Sequence, residues 1–282
     1  TGGGQNLTGG TFLNQQDKGK YLVQNLMMEE AITSSQLEGA STTRKVAKKM
    51  LEQKRAPSDK SERMIVNNFL LMKKVVEKKD EQLSIKFILE LHKISTEGAI
   101  ENDAVSGELR VDNDIAVRDG NNEISHEPPC HLTLKQRLQD LCEFANDCHN
   151  GNGNFIHPLI KAITLHFMIG YIHPFGDGNG RTARAIFYWF MLRENYWLFE
   201  YVSISKLIQE KRSDYDKAYV YTENDELDLT YFIYNQVEVT LKSVLSLHQY
   251  IDDKKKEYYE FMSWLDDNPL AAKLKRPQIE VL

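Results

Sequence analysis

Ile172-His173-Pro174-Phe175-Gly176-Asp177-Gly178-Asn179-Gly180-Arg181-Thr182-Ala183-Arg184 is the stretch on which the reading of this chain turns. Ahead of it, residues 159–172 are so apolar that a helix there is hydrophobic on all sides and belongs inside a core. Behind it, a second helical pattern from Thr182 carries Ala185, Ile186, Phe187, Trp189, Phe190 and Leu192, again apolar most of the way round. The quoted segment is therefore expected to be a tight turn between two core helices. It is polar well beyond what a turn requires.

Gly176, Gly178 and Gly180 stand at alternate positions, where they allow positive φ and let the backbone approach a ligand. The helix that follows points unpaired N–H groups at the turn, the usual cradle for a phosphate. Arg181 and Arg184 are expected in its first turn, three apart and on one face. Cations at the positive end of a helix dipole cost about 0.3–1 kcal/mol each unless an anion answers them. Asp177 suits a divalent cation beside that anion, because Mg2+ is commonly held by one or two carboxylates and the substrate's phosphates. His173, at the lip of the turn, suits a general base. The plainer alternative is a glycine-rich helix connection with solvated charges and a capping aspartate.

From His173 to Arg184 the chain resembles the signature of the Fic family, His-x-Phe-x-Asp/Glu-Gly-Asn-Gly-Arg-x-x-Arg, with every fixed position filled. The resemblance implies a mostly α fold, a Fic-type helical core with a small β-hairpin flap, and transfer of AMP from ATP to a Ser, Thr or Tyr hydroxyl of a target protein or of the protein itself. It implies that His173 is the base and that Asp177 holds Mg2+. Gly176, Gly178, Asn179 and Gly180 would cradle the phosphates, Arg181 would neutralise charge toward the leaving pyrophosphate, and Arg184 would position the γ-phosphate. Ser34-Ser35-Gln36-Leu37-Glu38-Gly39 is similar to the family's inhibitory motif, Ser/Thr-x-x-x-Glu-Gly/Asn, in the subclass with an N-terminal inhibitory helix. That likeness implies that Glu38, supported by Ser34, pairs with Arg184 and denies it to ATP. Even without it, an acid at the negative end of a helix calls for a cation.

The 282 residues carry a formal net charge of −6, with 41% hydrophobic and 27% charged positions. This is the composition of a globular chain, and its acidity argues against a general grip on nucleic acid. No run of about 18 apolar residues and no signal-peptide core are present, so the reading is no membrane contact and a cytoplasmic location. Cys130, Cys142 and Cys148 make no disulfide framework.

In chain order, 1–17 reads as a flexible glycine-rich tail. The N-terminal helical region is 18–80, with the inhibitory helix at 18–39 and Gly39 as its left-handed cap. A helix over 60–79 is expected to face a core with Met64, Ile65, Phe69, Leu70, Met72 and Val76. The catalytic core is 81–225. Within it His92 reads as a satisfied structural histidine, and Asp119-Gly120-Asn121-Asn122 signals a hairpin between strands at 114–118 and 123–126. By resemblance that hairpin is the flap, with Ile115 and Val117 docking the target segment, and the neighbouring Gly107–Arg110 and His126–Pro129 segments look like the flap's surroundings. His157, His166 and His173 match no compact zinc spacing. Tyr215, with Lys211 and Arg212, resembles the family's Asn-Arg-x-x-Tyr-Tyr segment at the base pocket, although Lys211 stands where Asn is common and Asp216 replaces the second Tyr. Residues 226–282 form a C-terminal helical extension, expected to lead toward a further module, with Tyr231, Ile233, Val237, Leu241, Val244, Leu245 and Leu247 as packing positions.

Two other functions fit the same residues. Glu38 could orient a water that removes AMP from a modified protein. A nucleotide-sensing regulator without turnover is the other, although an intact His173 exceeds what sensing needs. The expected small-molecule partners are ATP and Mg2+, and the number of subunits, a homo-oligomer included, stays open.

Overall fold

The computed structural model describes residues 16–100, 104–118, 123–147 and 155–267. The turn signal at 119–122 and Cys148 lie outside the described residues. The elements are α1 (Gln16–Leu37), α2 (Arg44–Glu52), α3 (Lys60–Glu77), α4 (Ile85–Thr96), β1 (Val117–Arg118), β2 (Ile124–His126), α5 (Leu134–Asn146), α6 (Pro158–Ile172), α7 (Asn179–Arg193), α8 (Ile204–Glu210), α9 (Arg212–Asn224) and α10 (Thr230–Asp267). The expected mostly helical fold with one small antiparallel hairpin is what forms.

Helices α6 and α7 pack on each other more extensively than any other pair. Ile163, Leu165, Phe167 and Ile169 of α6 and Ala183, Ile186, Phe187 and Trp189 of α7 are buried in one core with α3, α4 and α5. Both begin as their sequences dictate. Pro158 opens α6 behind His157, whose ring accepts from Leu159 N, while Gly178 precedes α7 at φ 82°. Tyr219 of α9 packs against Gly170, where a methyl group would collide with its hydroxyl.

On α3 the buried stripe runs Met64, Ile65, Asn68, Leu71, Met72 and Val75, whereas Leu70 is exposed. Asn68 is inside because its amide donates to Ala31 O of α1 (3.2 Å), and Asn67 because it donates to Glu97 O (2.8 Å). The same correction applies to α10. Its inward face is Phe232, Gln236, Val239, Ser243, Leu247 and Ile251, and Tyr231, Leu241 and Leu245 are exposed. Polar residues on the inner face shift the stripe away from the purely apolar count.

The first hairpin strand is shorter than the expected 114–118. Asp112 Oδ1 accepts from Asp114 N (3.1 Å), and Asn113 Oδ1 accepts from His131 N (2.8 Å). Such local side-chain bonds compete with strand pairing. Among the described residues only Val117 and Arg118 of that segment pair, opposite His126 and Ile124, with an irregular register between them.

Candidate active site

Helix α6 ends at Ile172, and His173 turns left-handed (φ 47°, ψ 59°), a conformation that costs an L-residue about 1–2 kcal/mol. Arg110 braces it. Its Nε donates to His173 O (2.9 Å), its backbone N–H to Pro174 O (3.0 Å), and its Nη1 and Nη2 to Asp112 O (2.7 Å) and Pro129 O. One guanidinium thus joins the turn to both approaches of the hairpin. Asn179 closes the turn from inside, donating to Phe175 O (2.8 Å) and accepting from Phe175 N (3.0 Å). His92 stacks on Phe175 with ring centroids 3.7 Å apart. Its Nδ1 accepts from Gly107 N (3.0 Å), so its Nε2 carries the proton donated to Asp177 O (2.8 Å). Burial pulls its pKa down to about 4, consistent with that neutral tautomer.

Of the three glycines only Gly178 has positive φ, 82°. It also sits tight, for an added Cβ would lie 2.5 Å from Thr96 Cγ2. Gly180 answers to space alone, since a Cβ there would collide with the Glu38 carboxylate and lie 3.0 Å from Arg184 Nη1.

His173 Nδ1 lies 3.2 Å from Gly170 O, an acceptor, so Nδ1 is the protonated nitrogen and Nε2 keeps its lone pair. Burial, outweighing the Gly170 carbonyl, lowers the ring's pKa to about 4. The imidazole is therefore neutral at pH 7, the form a general base needs.

The two arginines of α7 are buried and engaged. Arg181 donates to Ser95 O (2.6 Å) and Asp177 Oδ1 (3.2 Å), while its Nε finds no partner among the described residues. Asp177 Oδ1 also accepts from Gly178 N (2.5 Å). Arg184, in the second turn of α7 rather than the first, donates from Nε to Ser34 Oγ (2.8 Å) and from Nη2 to Ser34 O (3.1 Å) and Glu38 Oε1 (2.7 Å). Burial alone would raise the Glu38 pKa, but Arg184 and then Arg181 outweigh it and hold the carboxyl below its usual range. The anion that two cations at a helix start demand is thus supplied from within the chain.

Glu38 is presented by the way α1 ends. Ala40 N donates to Ser35 O (3.0 Å) and Gly39 N to Gln36 O (3.1 Å), with Gly39 at φ 94°, a Schellman closure. Arg212 Nη1 donates to Leu37 O (3.0 Å) at the same end. About two turns upstream of Glu38, Glu30 is buried and accepts from Tyr188 Oη (2.9 Å), Ser203 Oγ (2.8 Å), Ser205 N (3.1 Å) and Ser205 Oγ (2.5 Å). Burial raises its pKa in spite of those donors.

The chain resembles known proteins in sequence and in fold. The model of the Fic/DOC family matches residues 82–191. This segment is a Fic domain. Proteins named protein adenylyltransferase Fic are similar to it: that of Drosophila ananassae is 32% identical over 117 residues, 41% of this chain and 21% of the relative, and that of Nematostella vectensis is 25% identical over 185 residues, 63% and 40%. The chain thus spans less than half the length of these relatives. A Fic domain signalling protein of Bacteroides thetaiotaomicron superposes with a TM-score of 0.68 at 18% identity, covering 85% of this chain and 91% of that one. Fic-1 of C. elegans gives 0.65 at 22%, covering 90% and 69%. At these identities the structures establish the fold.

The matched Fic segment holds His173, Gly176, Asp177, Gly178, Asn179, Gly180, Arg181 and Arg184 in one turn. Ser34 and Glu38 reach it from outside, on α1. Tyr215 is buried on α9 with its hydroxyl 3.1 Å from His166 Nε2, near enough to Arg184 and Glu38 to feel their charges. In the flap, Val117 pairs opposite His126, whereas Ile115 precedes the strand, and both are half-buried. His126 anchors that hairpin to α9 through Glu223 Oε2 (2.6 Å) and to α6 through Tyr171 O (2.8 Å). Arg110, His126 and Glu30 carry no signal of these roles in the sequence, because their partners lie far along the chain.

Proposed function

We propose that the protein is a protein adenylyltransferase that is inhibited by its own α1. The observation that carries this reading is the pair formed by a neutral, correctly protonated His173 and an Arg184 clasped by Ser34 and Glu38. His173 Nε2 takes the proton of a Ser, Thr or Tyr hydroxyl on the target. The hydroxyl oxygen forms a bond to the α-phosphorus of ATP, the bond to the β-phosphate oxygen breaks, and pyrophosphate leaves. Gly178 and Gly180 let the phosphates approach the start of α7. Asn179 acts by holding the turn, since both ends of its amide are bonded to Phe175. Arg181 supplies fixed positive charge, and Tyr215 would border the base of the nucleotide. The Glu38 carboxylate stands in for the γ-phosphate on Arg184, and ATP binds productively once it leaves.

Asp177 is the residue that would hold Mg2+. Among the described residues no three His, Cys, Asp or Glu side chains gather for a metal, and the Asp177 side chain is 30% exposed, which fits a single carboxylate completed by phosphates. The ion would neutralise phosphate charge. The flap, with Ile115 and Val117, would align the target by adding a strand.

A second reading draws on Glu38 Oε2, which has no partner among the described residues while Oε1 is held by Arg184. Such a carboxylate can take a proton from water and so assist removal of AMP from a modified protein. One experiment separates the two readings: labelling with ATP traced at the α- or the γ-phosphate, with Mg2+, in the parent, Glu38→Gly and His173→Ala. Transfer predicts α label that rises in Glu38→Gly and vanishes in His173→Ala, with no γ label. Release of AMP from a modified protein that depends on Glu38, without labelling in any variant, supports hydrolysis instead.

A further inference from the structure

His126 closes β2, and it is buried, with 8% of the residue exposed. Both of its ring nitrogens face oxygen. Nδ1 lies 2.6 Å from Glu223 Oε2 of α9, and Nε2 lies 2.8 Å from Tyr171 O of α6. A peptide carbonyl and a carboxylate can only accept, so each nitrogen has to donate. A neutral imidazole carries one proton and serves one of the two. Its other nitrogen then holds a lone pair against an oxygen, a mismatch that burial makes costly. A proton shared between a carboxylate and an imidazole belongs on the ring, the stronger base.

The surroundings favour the doubly protonated ring. Helix α6 ends at Ile172, and its last carbonyls need donors. Ile169 O takes His173 N (3.0 Å) and Gly170 O takes His173 Nδ1 (3.2 Å), while Tyr171 O takes His126. A positive charge is stabilised at the negative end of a helix, and the Glu223 carboxylate opposite adds a charge-assisted bond. Beyond them lie Tyr219 of α9, which feels Glu223, and His173 of the turn, which feels both His126 and Arg110. Burial raises the Tyr219 pKa well above its usual range, burial holds His173 neutral with a pKa of about 4, and Arg110 keeps its charge. Of these groups His126 is therefore the one left to exchange a proton between pH 6 and 8.

We propose that His126 is a positioning residue that carries both ring protons and clamps the hairpin to α6 and α9, so that the hairpin loosens as pH rises. Loss of one proton removes one of the two bonds. The ladder has little with which to resist, since His126 is itself the partner of Val117 and, among the described residues, the other pair is Arg118 with Ile124. The clamp also abuts the catalytic turn, because Tyr171 O is the carbonyl next to the one that fixes the His173 tautomer. The consequence for transfer, weaker capture of a target segment at higher pH, rests on the function proposed above. The clamp does not.

Nitrogen NMR of the histidine rings in the full chain tests the protonation. At pH 6 both ring nitrogens of His126 should carry protons, and a ring with one proton at that pH overturns the proposal. Hydrogen exchange at residues 117–118 and 124–126, corrected for the intrinsic rate at each pH, tests the clamp. Protection in the parent should fall about tenfold between pH 6 and pH 8, the size of one hydrogen bond lost. Glu223→Gln keeps the shape and supplies an amide that can turn to donate to an unprotonated Nδ1. Its protection should change by less than about twofold over the same range and exceed that of the parent at pH 8. No fall in the parent, an equal fall in the two proteins, or a variant unprotected at both pH values overturns the clamp. Neither readout needs AMP transfer to occur, so a protein that transfers nothing can still uphold it.

Discussion

Arg181 and Arg184 stand three residues apart on α7 and are answered from opposite directions. Arg181 is answered within the Fic domain, by Asp177 four residues before it and by Ser95 O at the end of α4. Arg184 is answered by Ser34 and Glu38, about 150 residues upstream and outside the matched segment. The first arrangement is part of the fold. The second is a contact with a distant part of the chain, and it is there that the proposed inhibition would be relieved.

The largest effect is expected on the side that belongs to the fold. His173→Ala removes the only group in the turn placed as a base, and transfer should fall about 10²–10⁴-fold with ATP binding retained, general-base contributions being of that size. Single-turnover labelling in a Glu38→Gly background checks it. A smaller loss would move proton transfer to another group. Glu38→Gly breaks the other side, and transfer should rise about tenfold or more, equivalent to about 1.4 kcal/mol or more released from the Arg184 clasp. Unchanged labelling would mean that the clasp does not limit the reaction.

Glu30 sharpens the comparison, because it fastens α1 without touching the turn. Glu30→Ala leaves the Tyr188, Ser203 and Ser205 donors without their acceptor. A loss of about 1–3 kcal/mol of stability is expected by urea denaturation, together with a rise in transfer smaller than that of Glu38→Gly. A stable variant with fully released activity would show that Glu30 governs the docking of α1 and little else.

What could be read from the sequence follows the same division. The turn was legible because its chemistry is local: His173 to Arg184 are contiguous, and glycines, a carboxylate and cations at one helix start admit few readings. The clasp was legible by resemblance and through the misfit of Glu38 at a helix C-terminus. Arg110 was visible only as part of a segment beside the hairpin, since the His173 carbonyl it braces lies 63 residues on. His92 was recognisable as a satisfied histidine but not as the link between Gly107 and Asp177, 85 residues away. Spacing also misjudged which faces of α3 and α10 turn inward, where Asn68, Gln236 and Ser243 are buried in place of Leu70 and Leu241. Periodicity counts apolar residues, so a polar residue turned inward, as Asn68 is by its bond to Ala31 O across the core, is invisible to it.

Acid should act on the two halves in sequence. His173 and His92 have folded pKa values of about 4 against an ordinary 6.5, so below pH 6.5 the unfolded chain takes up protons that the folded turn refuses. Stability held above pH 6.5 is then lost as pH falls toward 4, by about 1 kcal/mol per histidine at pH 5.5. Glu38 keeps its contribution longer, because its carboxyl is held below the usual range and the clasp is lost only as pH falls through that lowered value. Glu30 works in the other sense, since its raised carboxyl protonates in the folded protein first. Comparing urea melts of the parent and His92→Gln at pH 7 and 5.5 largely cancels Glu30. The parent should lose more stability between the two than the variant does, and equal losses would mean that the turn's histidine is not held neutral by burial. In Glu38→Gly, transfer should persist at pH 6, where an ordinary imidazole is already mostly protonated, because the base that was neutral before the clasp opened remains so after it.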